Sequence, residues 1–220
     1  NYDYSYFDYK NLKGYVNHIP MQQDAAGGHA YVLLCAYHKF GDPRYLEHCK
    51  SALEALISQK ESRFYEALLP LGVYVAAYLN ATEGTNYNVS KLFDWVFDGC
   101  QSSSGRTGWG IIIGKWGDYD VSGLQGSITD GGGYAFLMNS IKPAWPFIPL
   151  VKYQPEYAKA IGKWMLNNSS ACRLFYPGDI DEKHQWAPEL KNITNNNVSY
   201  EGLRKADDYG KESLKGVSPV

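Results

Sequence analysis

The chain has 220 residues, 45% of them hydrophobic, and its 21 basic and 23 acidic residues leave a formal charge of −2. This length and composition suffice for one core of ordinary size and do not demand two domains. The balanced charge, without a long basic stripe, argues against nucleic acid or an anionic membrane surface as the partner. No segment reaches the roughly 20 apolar residues of a membrane-spanning helix, so we expect no membrane insertion.

The chain is rich in aromatic side chains, with 19 Tyr, 8 Phe and 6 Trp. Many of the Tyr and Trp residues lie in Gly- and Asp-rich segments that lack the pattern of a core helix. Flat amphipathic rings suit sugar rings, because they bury one apolar face while keeping a polar edge in water. The alternative is that these rings fill the core. We expect an oligosaccharide or polysaccharide as the partner.

Two features bear on the compartment in which the protein works. The chain starts at Asn1, with neither Met nor a leader, as expected of a processed or shortened product. Six asparagines fit the acceptor pattern for N-glycosylation, namely Asn80, Asn88, Asn167, Asn168, Asn192 and Asn197. We expect a secreted or periplasmic protein, although an Asn-rich bacterial chain acquires such triplets by chance.

The four cysteines are widely spaced and form no Cys-x-x-Cys pair, which argues against a structural zinc site. They are Cys35, Cys49, Cys100 and Cys172. Cys35 and Cys49 are either partners across a helical hairpin or, as we expect, free thiols in the core. We predict neither a metal ion nor another cofactor.

Hydrophobic periodicity predicts six helices, over residues 24–40, 43–60, 63–79, 88–100, 131–142 and 155–168. The first, third and fifth are apolar nearly all the way round, as a helix buried on every side must be. The second, fourth and sixth place their apolar residues on one stripe and leave a polar face for water. Buried helices thus alternate with surface helices along the chain.

This alternation predicts an all-α fold with two concentric layers, an α/α toroid of inner and outer helices. An irregular helical bundle is the alternative. The visible hairpins are too few to close a ring, so the chain forms either half of a larger ring or an open horseshoe. We assign residues 1–172 to this domain and 173–220 to an irregular extension that packs on the body, in a chain that continues in the full protein.

If the inner helices run parallel, the loops that lead into them lie on one rim. The third of these loops spans residues 101–130 and is too aromatic and too weakly charged to be disordered, so its length indicates a functional role. It carries Trp109 and Trp116, each followed by Gly, and then Tyr119. We predict that this loop forms a short β-hairpin over the rim and that the three rings stack against sugar.

The rim loops also hold the carboxylates that hydrolysis requires. The catalytic candidates are Asp24, Asp118, Asp120 and Asp130. Asp24 and Asp130 occupy the N-cap positions of predicted helices, so helix capping is their alternative role. The candidates for substrate binding are His18, Gln22, His29 and Glu66. His29 is alternatively a core histidine, and Glu66 is alternatively an ion-pair partner of Arg63.

The alternating hairpins, the turn Phe40-Gly41-Asp42-Pro43-Arg44-Tyr45-Leu46 and the aromatic, Asp-bearing loops resemble the six-hairpin glycosidase-like enzymes. That group has α/α-toroid folds and includes glycoside hydrolases, unsaturated glucuronyl hydrolases and sugar epimerases, and polysaccharide lyases have similar toroids. The resemblance covers residues 24–168 and is architectural. It implies a hydrolase in which one rim carboxylate protonates the leaving oxygen while another activates water.

We therefore expect a glycoside hydrolase that uses paired rim carboxylates. One alternative is a polysaccharide lyase acting on a uronate polymer, with Asn17-His18 and Tyr119 or Tyr134 in the site. Such a lyase should carry more rim Arg and Lys than Arg63, Arg106 and Lys115. The other alternative is a non-catalytic glycan-binding module or scaffold, which needs no carboxylate pair at hydrolytic spacing.

Overall fold

The computed structural model describes residues 2–17, 23–103, 105–127, 133–176, 179, 202–205 and 215–217. The chain divides into two compact units. The first contains residues 1–107 and 145–156, and the second contains residues 108–144 and 157–220. The chain therefore leaves the first unit and returns to it once, whereas the sequence suggested a single boundary near residue 172.

The first unit is mostly helical. It begins with a hairpin in which β1 (Tyr6–Asp8) and β2 (Lys13–Tyr15) pair antiparallel. Four helices follow, namely α1 (Ala25–Phe40), α2 (Pro43–Ile57), α3 (Leu68–Thr82) and α4 (Val89–Asp98). The four helices that the periodicity predicts in this part of the chain are confirmed.

Side-chain caps and a left-handed glycine fix where these helices begin and end. In front of α2, Asp42 Oδ1 accepts the backbone N–H of Arg44 at 2.9 Å, and Pro43 takes the first helical position. Asn88 caps α4 in the same way by accepting the N–H of Lys91. Helix α1 ends at Gly41, whose φ of 70° strains any residue with a Cβ.

Helix α1 packs against α2 and α3, and α3 also packs against α4. The crossing of α1 and α3 depends on glycine, because a Cβ on Gly27 would lie 2.6 Å from the carbonyl oxygen of Leu68 and 3.1 Å from the nitrogen of Gly72. Overlap of that size is costly in a close-packed interior. The fully buried large side chains of these four helices are Leu34, Leu53, Leu56, Leu69, Leu79 and Leu92.

Three further helices follow, namely α5 (Leu137–Ile141), α6 (Ala144–Leu150) and α7 (Ala158–Cys172). Helix α7 corresponds to the last predicted helix, whereas the sequence did not predict α6. Residues 145–156 lie in the first unit. There the ring of Phe147 lies 5.5 Å from that of Phe93, and Tyr153 packs edge-on against Tyr74 and Tyr78. Residues 145–156 thus add aromatic side chains to the packing of the first unit.

The second unit contains an antiparallel sheet with the strand order β3–β6–β7–β8–β9. These strands are β3 (Trp109–Ile111), β6 (Gln125–Ser127), β7 (Tyr134–Phe136), β8 (Gly202–Arg204) and β9 (Lys215–Val217). Between β3 and β6, β4 (Lys115–Trp116) and β5 (Tyr119–Asp120) form a two-stranded hairpin. A hairpin in this long loop was predicted, and the structure contains it.

The prediction of an all-α toroid is wrong, because the protein is mixed α/β. Residues 131–142 show the reason: their apolar run was assigned to a buried helix, but Tyr134–Phe136 form a strand between β6 and β8. A short apolar run fits a buried strand as well as a buried helix. Gly126 makes room for this strand, since a Cβ there would collide with the carbonyl oxygen of Tyr134.

Candidate active site

Asp24 directly precedes α1 in the first unit and is only 1% exposed. It occupies the N-cap position, yet its side chain makes no capping hydrogen bond to the helix. Instead, Oδ2 accepts the backbone N–H of Tyr65 at 3.0 Å. Within the described residues, Oδ1 is buried without a hydrogen-bond partner. Helix capping therefore does not account for this carboxyl.

Burial raises the pKa of Asp24 to about 8. Backbone N–H groups, that of Tyr65 above all, favour the charged form and oppose this rise, while the negative charge of Glu66 adds to it. Desolvation dominates because these groups replace only part of the water that an ionised carboxylate binds. Asp24 is consequently a neutral acid at pH 7, which is the state that a proton donor requires.

Glu66 is the second carboxylate of this region, and its side chain is exposed. Its φ of 56° places it in the left-handed region, which is rare for a residue with a long side chain. Strain of this kind persists only where the surrounding structure enforces it, and it clusters at functional sites. The neighbouring Tyr65 contributes the backbone N–H that holds Asp24, so both carboxylates depend on one short segment.

Arginines complete the surroundings of the two carboxylates. The guanidinium of Arg106 lies 5.3 Å from the centroid of the Tyr65 ring. Burial raises the pKa of the Tyr65 hydroxyl, and Glu66 raises it further while Arg106 lowers it. The guanidinium of Arg63 lies 3.7 Å from Glu61 in an ion pair. The pairing of Arg63 with Glu66 considered from the sequence stays a prediction.

Two further catalytic candidates, Asp118 and Asp120, belong to the second unit, where both are exposed at the β4–β5 hairpin. Asp120 Oδ1 accepts the N–H of Ser122 at 2.9 Å, and the hydrogen bonds from Ser122 lower the pKa of this carboxyl. Asp120 is thus an ionised turn residue rather than a proton donor. Asp130 lies outside the described residues, as do His18 and Gln22.

The two tryptophans predicted to stack against sugar are core residues. Trp109 is 1% exposed and packs against Tyr134 and Phe136, and Trp116 is 5% exposed in the hydrophobic core of the second unit. Neither ring offers an open face in this conformation, because each Trp-Gly step belongs to a strand or its turn rather than to a free loop. Tyr119 is half-buried against the same core.

His29 is exposed one turn into α1 rather than in the core. Its Nδ1 lies 3.0 Å from the hydroxyl of Tyr2, and the two rings are 5.4 Å apart.

The residues considered for a lyase are divided between the two units. Asn17 belongs to the first unit, where its Oδ1 accepts a hydrogen bond of 2.9 Å from the Ser5 hydroxyl. Tyr119 and Tyr134 belong to the second unit.

The cysteines are free thiols, three of them buried. Burial raises the pKa of Cys49 and of Cys172 to about 12, so both remain protonated at neutral pH.

Among the described residues, no three His, Cys, Asp or Glu side chains are grouped as a metal site would require. In the same part of the chain, no helix combines the length and apolarity needed to cross a membrane.

Sequence reasoning selected Asp24 and Glu66 but missed Tyr65 and Arg106 as their neighbours. Tyr65 stands beside Glu66 in the chain, yet its contribution is a backbone N–H, which no side-chain pattern reveals. Arg106 was considered only as a rim charge.

Comparison of the chain with protein families, with curated proteins and with solved structures found no match.

Proposed function

We propose that this protein is a glycoside hydrolase whose general acid is Asp24 and whose second carboxylate is Glu66. The observation that carries the proposal is the buried carboxyl of Asp24, which accepts the N–H of Tyr65, the residue before the exposed Glu66, and whose pKa burial raises to about 8. Two carboxyl groups whose environments push their ionisation apart are the usual means of combining acid and base catalysis at neutral pH.

The chemistry divides between the two groups. The proton of Asp24 passes to the glycosidic oxygen as the bond from that oxygen to the anomeric carbon breaks, which lets the leaving sugar depart as a neutral alcohol. Water supplies the hydroxyl group that the anomeric carbon receives, and Glu66 accepts the proton that this water loses. Transfer of that proton back to Asp24 through solvent restores the starting state.

Carbohydrate is favoured as the substrate by the exposed tyrosines of the same unit. Tyr6 and Tyr15 are cross-strand partners in the β1–β2 hairpin, with ring centroids 5.8 Å apart and planes inclined by 23°. Both rings are more than a third exposed. Amphipathic rings of this kind combine an apolar face with a polar edge, which matches the two faces of a pyranose.

The test is the hydrolysis of neutral and uronate-containing oligosaccharides by the wild-type chain, Asp24→Asn and Glu66→Gln, with Asp118→Asn as the control. We expect each of the first two substitutions to lower the rate by a factor of about 100 to 10,000, the usual contribution of a general acid or base. Asp118→Asn should retain activity, and circular dichroism should show all four proteins folded.

Full activity of folded Asp24→Asn would refute the assignment of the acid. A wild-type chain that binds oligosaccharides without cleaving any of them would instead identify a glycan-binding module.

A further inference from the structure

A cleft of about 580 Å³ lies in the first unit, at the end where α1 begins and α2 ends. This volume is within the range of small-molecule sites, roughly 300–1,000 Å³. Its lining is almost entirely polar and consists of Tyr2, Asp3, Gln23, Ala55, Ser58, Gln59, Lys60, Glu61 and Arg63. Gln23 directly precedes Asp24 in the chain, so the cleft begins one residue from the proposed general acid.

The amide of Gln23 is held in one orientation. Its Nε2 donates to Asp3 Oδ1 at 3.0 Å, and because a carboxylate can only accept, the amide must present its NH₂ group to Asp3. Gln59 Nε2 donates to the backbone carbonyl of Gln23 at 3.1 Å and fixes the main chain as well. Two lining side chains, Gln23 and Gln59, are thus positioned by hydrogen bonds.

This orientation leaves an acceptor unsatisfied. Gln23 is 9% exposed, and among the described residues its Oε1 is buried without a hydrogen-bond partner. An unsatisfied buried acceptor destabilises the folded protein, so a ligand donor that reaches it binds more tightly. Because Gln23 belongs to the lining, a hydroxyl bound in the cleft is the nearest kind of donor that a ligand could offer this oxygen.

The charges of the lining are balanced. Asp3 and Glu61 are matched by Lys60 and Arg63, and the guanidinium of Arg63 already pairs with Glu61 at 3.7 Å. A phosphate or carboxylate ligand would require an excess of positive charge. A neutral ligand with many hydroxyl groups fits better, since each hydroxyl both donates and accepts.

We infer that this cleft binds the pyranose of a neutral sugar, with a hydroxyl donating to Gln23 Oε1 and the remaining hydroxyls bound by Asp3, Gln59 and Arg63. This inference rests on the proposed glycoside hydrolase activity and narrows its substrate to neutral glycans. Uronate polymers are disfavoured because the balanced lining has no excess of positive charge to bind their carboxylates.

The experiment is saturation-transfer NMR and calorimetric titration of the full chain with cellobiose, methyl α-D-mannopyranoside, methyl β-D-glucopyranoside and D-glucuronate. Gln23→Met preserves the volume of the side chain but removes its hydrogen-bonding groups. Gln101→Met is the matched control, because Gln101 is exposed in the same unit and does not line the cleft.

We expect at least one neutral sugar to bind, glucuronate to bind more weakly, and Gln23→Met to raise the Kd of the neutral sugar by about fivefold, the effect of one hydrogen bond. Gln101→Met should leave the Kd unchanged. Absence of binding by every neutral sugar, a preference for glucuronate, or an unchanged Kd in Gln23→Met would overturn the inference.

Binding and catalysis fail in distinguishable ways. Asp24→Asn should still bind the neutral sugar, because Asp24 does not line the cleft. If sugar binds as expected but no oligosaccharide is cleaved, the hydrolase proposal fails and the binding site remains. If oligosaccharides are cleaved and Gln23→Met changes neither KM nor Kd, the hydrolase proposal remains and the assignment of this cleft fails.

Discussion

Asp24 Oδ2 accepts a hydrogen bond of 3.0 Å from the backbone nitrogen of Tyr65, which joins the start of α1 to the segment that precedes α3. This contact holds a carboxyl that is buried away from water. It does not replace the hydration of a charged carboxylate, and the pKa of Asp24 therefore rises to about 8. Stability and catalysis should both depend on the proton that Asp24 carries.

The first prediction concerns stability as a function of pH. The pKa of Asp24 is about 8 in the folded chain against 3.8 for an ordinary Asp, so between these values the folded state binds one more proton than the unfolded state. The stabilising contribution of protonated Asp24 to the free energy of unfolding is fully present below about pH 4. It is lost as pH rises to about 8, at up to about 1.4 kcal/mol per pH unit.

Urea denaturation of the wild-type chain and of Asp24→Asn at several pH values between 5 and 9 measures this effect. Asp24→Asn should gain stability relative to the wild type as pH rises, because its amide does not ionise. Asp118→Asn is the control and should follow the wild type, since Asp118 is exposed. Parallel curves for the wild type and Asp24→Asn would show that Asp24 is ionised at neutral pH.

The crossing of α1 and α3 yields a second prediction. Gly27→Ala places a Cβ 2.6 Å from the carbonyl oxygen of Leu68, and backbone on both sides leaves it little room to relax. We expect a loss of about 1–3 kcal/mol in the free energy of unfolding, as in other overpacked cores. Gly162→Ala in α7 is the matched control, since a Cβ there meets nothing within 4 Å.

Gly162→Ala should stabilise the protein by about 0.5–1 kcal/mol, the difference in helix propensity between the two residues. Equal effects of the two substitutions would show that helix propensity, rather than the close approach of α1 to α3, governs Gly27.

Asn168 in α7 gives a third prediction. Its Nδ2 donates to the carbonyls of Gly123 and Ser140, both at 2.8 Å, and the side chain is 6% exposed. Asn168→Ala should lower the free energy of unfolding by about 1–3 kcal/mol, because a buried carbonyl loses its donor. Asn167→Ala, at the exposed neighbouring position, should change it by less than about 0.5 kcal/mol.

Calorimetric unfolding of both variants measures the difference, and comparable losses would contradict the role assigned to the Asn168 amide.

The same burial means that Asn168 is not available as a glycan acceptor in the folded chain, whereas Asn167 is exposed. Export of the protein stays a prediction.

The first four helices could be predicted because their signals are local. Apolar spacing, Pro43 after Asp42, and Gly41 at the end of α1 all lie within the helices or beside them. The sheet could not be predicted in the same way. Its strands have two or three residues each, and Tyr134 pairs with Arg204, which is far away in the chain. Short strands with distant partners leave no periodic pattern to detect.

The sequence identifies Asp24 as a catalytic candidate and Glu66 as a binding candidate, because both lie in loops that lead into buried helices. The raised pKa of Asp24 could not be predicted, because it follows from burial, which depends on tertiary packing. Trp109 and Trp116 were misjudged because a Trp-Gly step resembles a flexible loop. In the structure both indole rings are buried in the core.

Proton donation by Asp24 is best examined through the pH dependence of kcat/KM for a cleaved oligosaccharide in the wild-type chain and in Asp24→Asn. We expect the wild-type value to fall as pH rises through about 8, the pKa of Asp24, and the residual activity of Asp24→Asn to lack this falling limb. A wild-type profile that is flat between pH 7 and 9, or wild-type activity in Asp24→Asn, would contradict it.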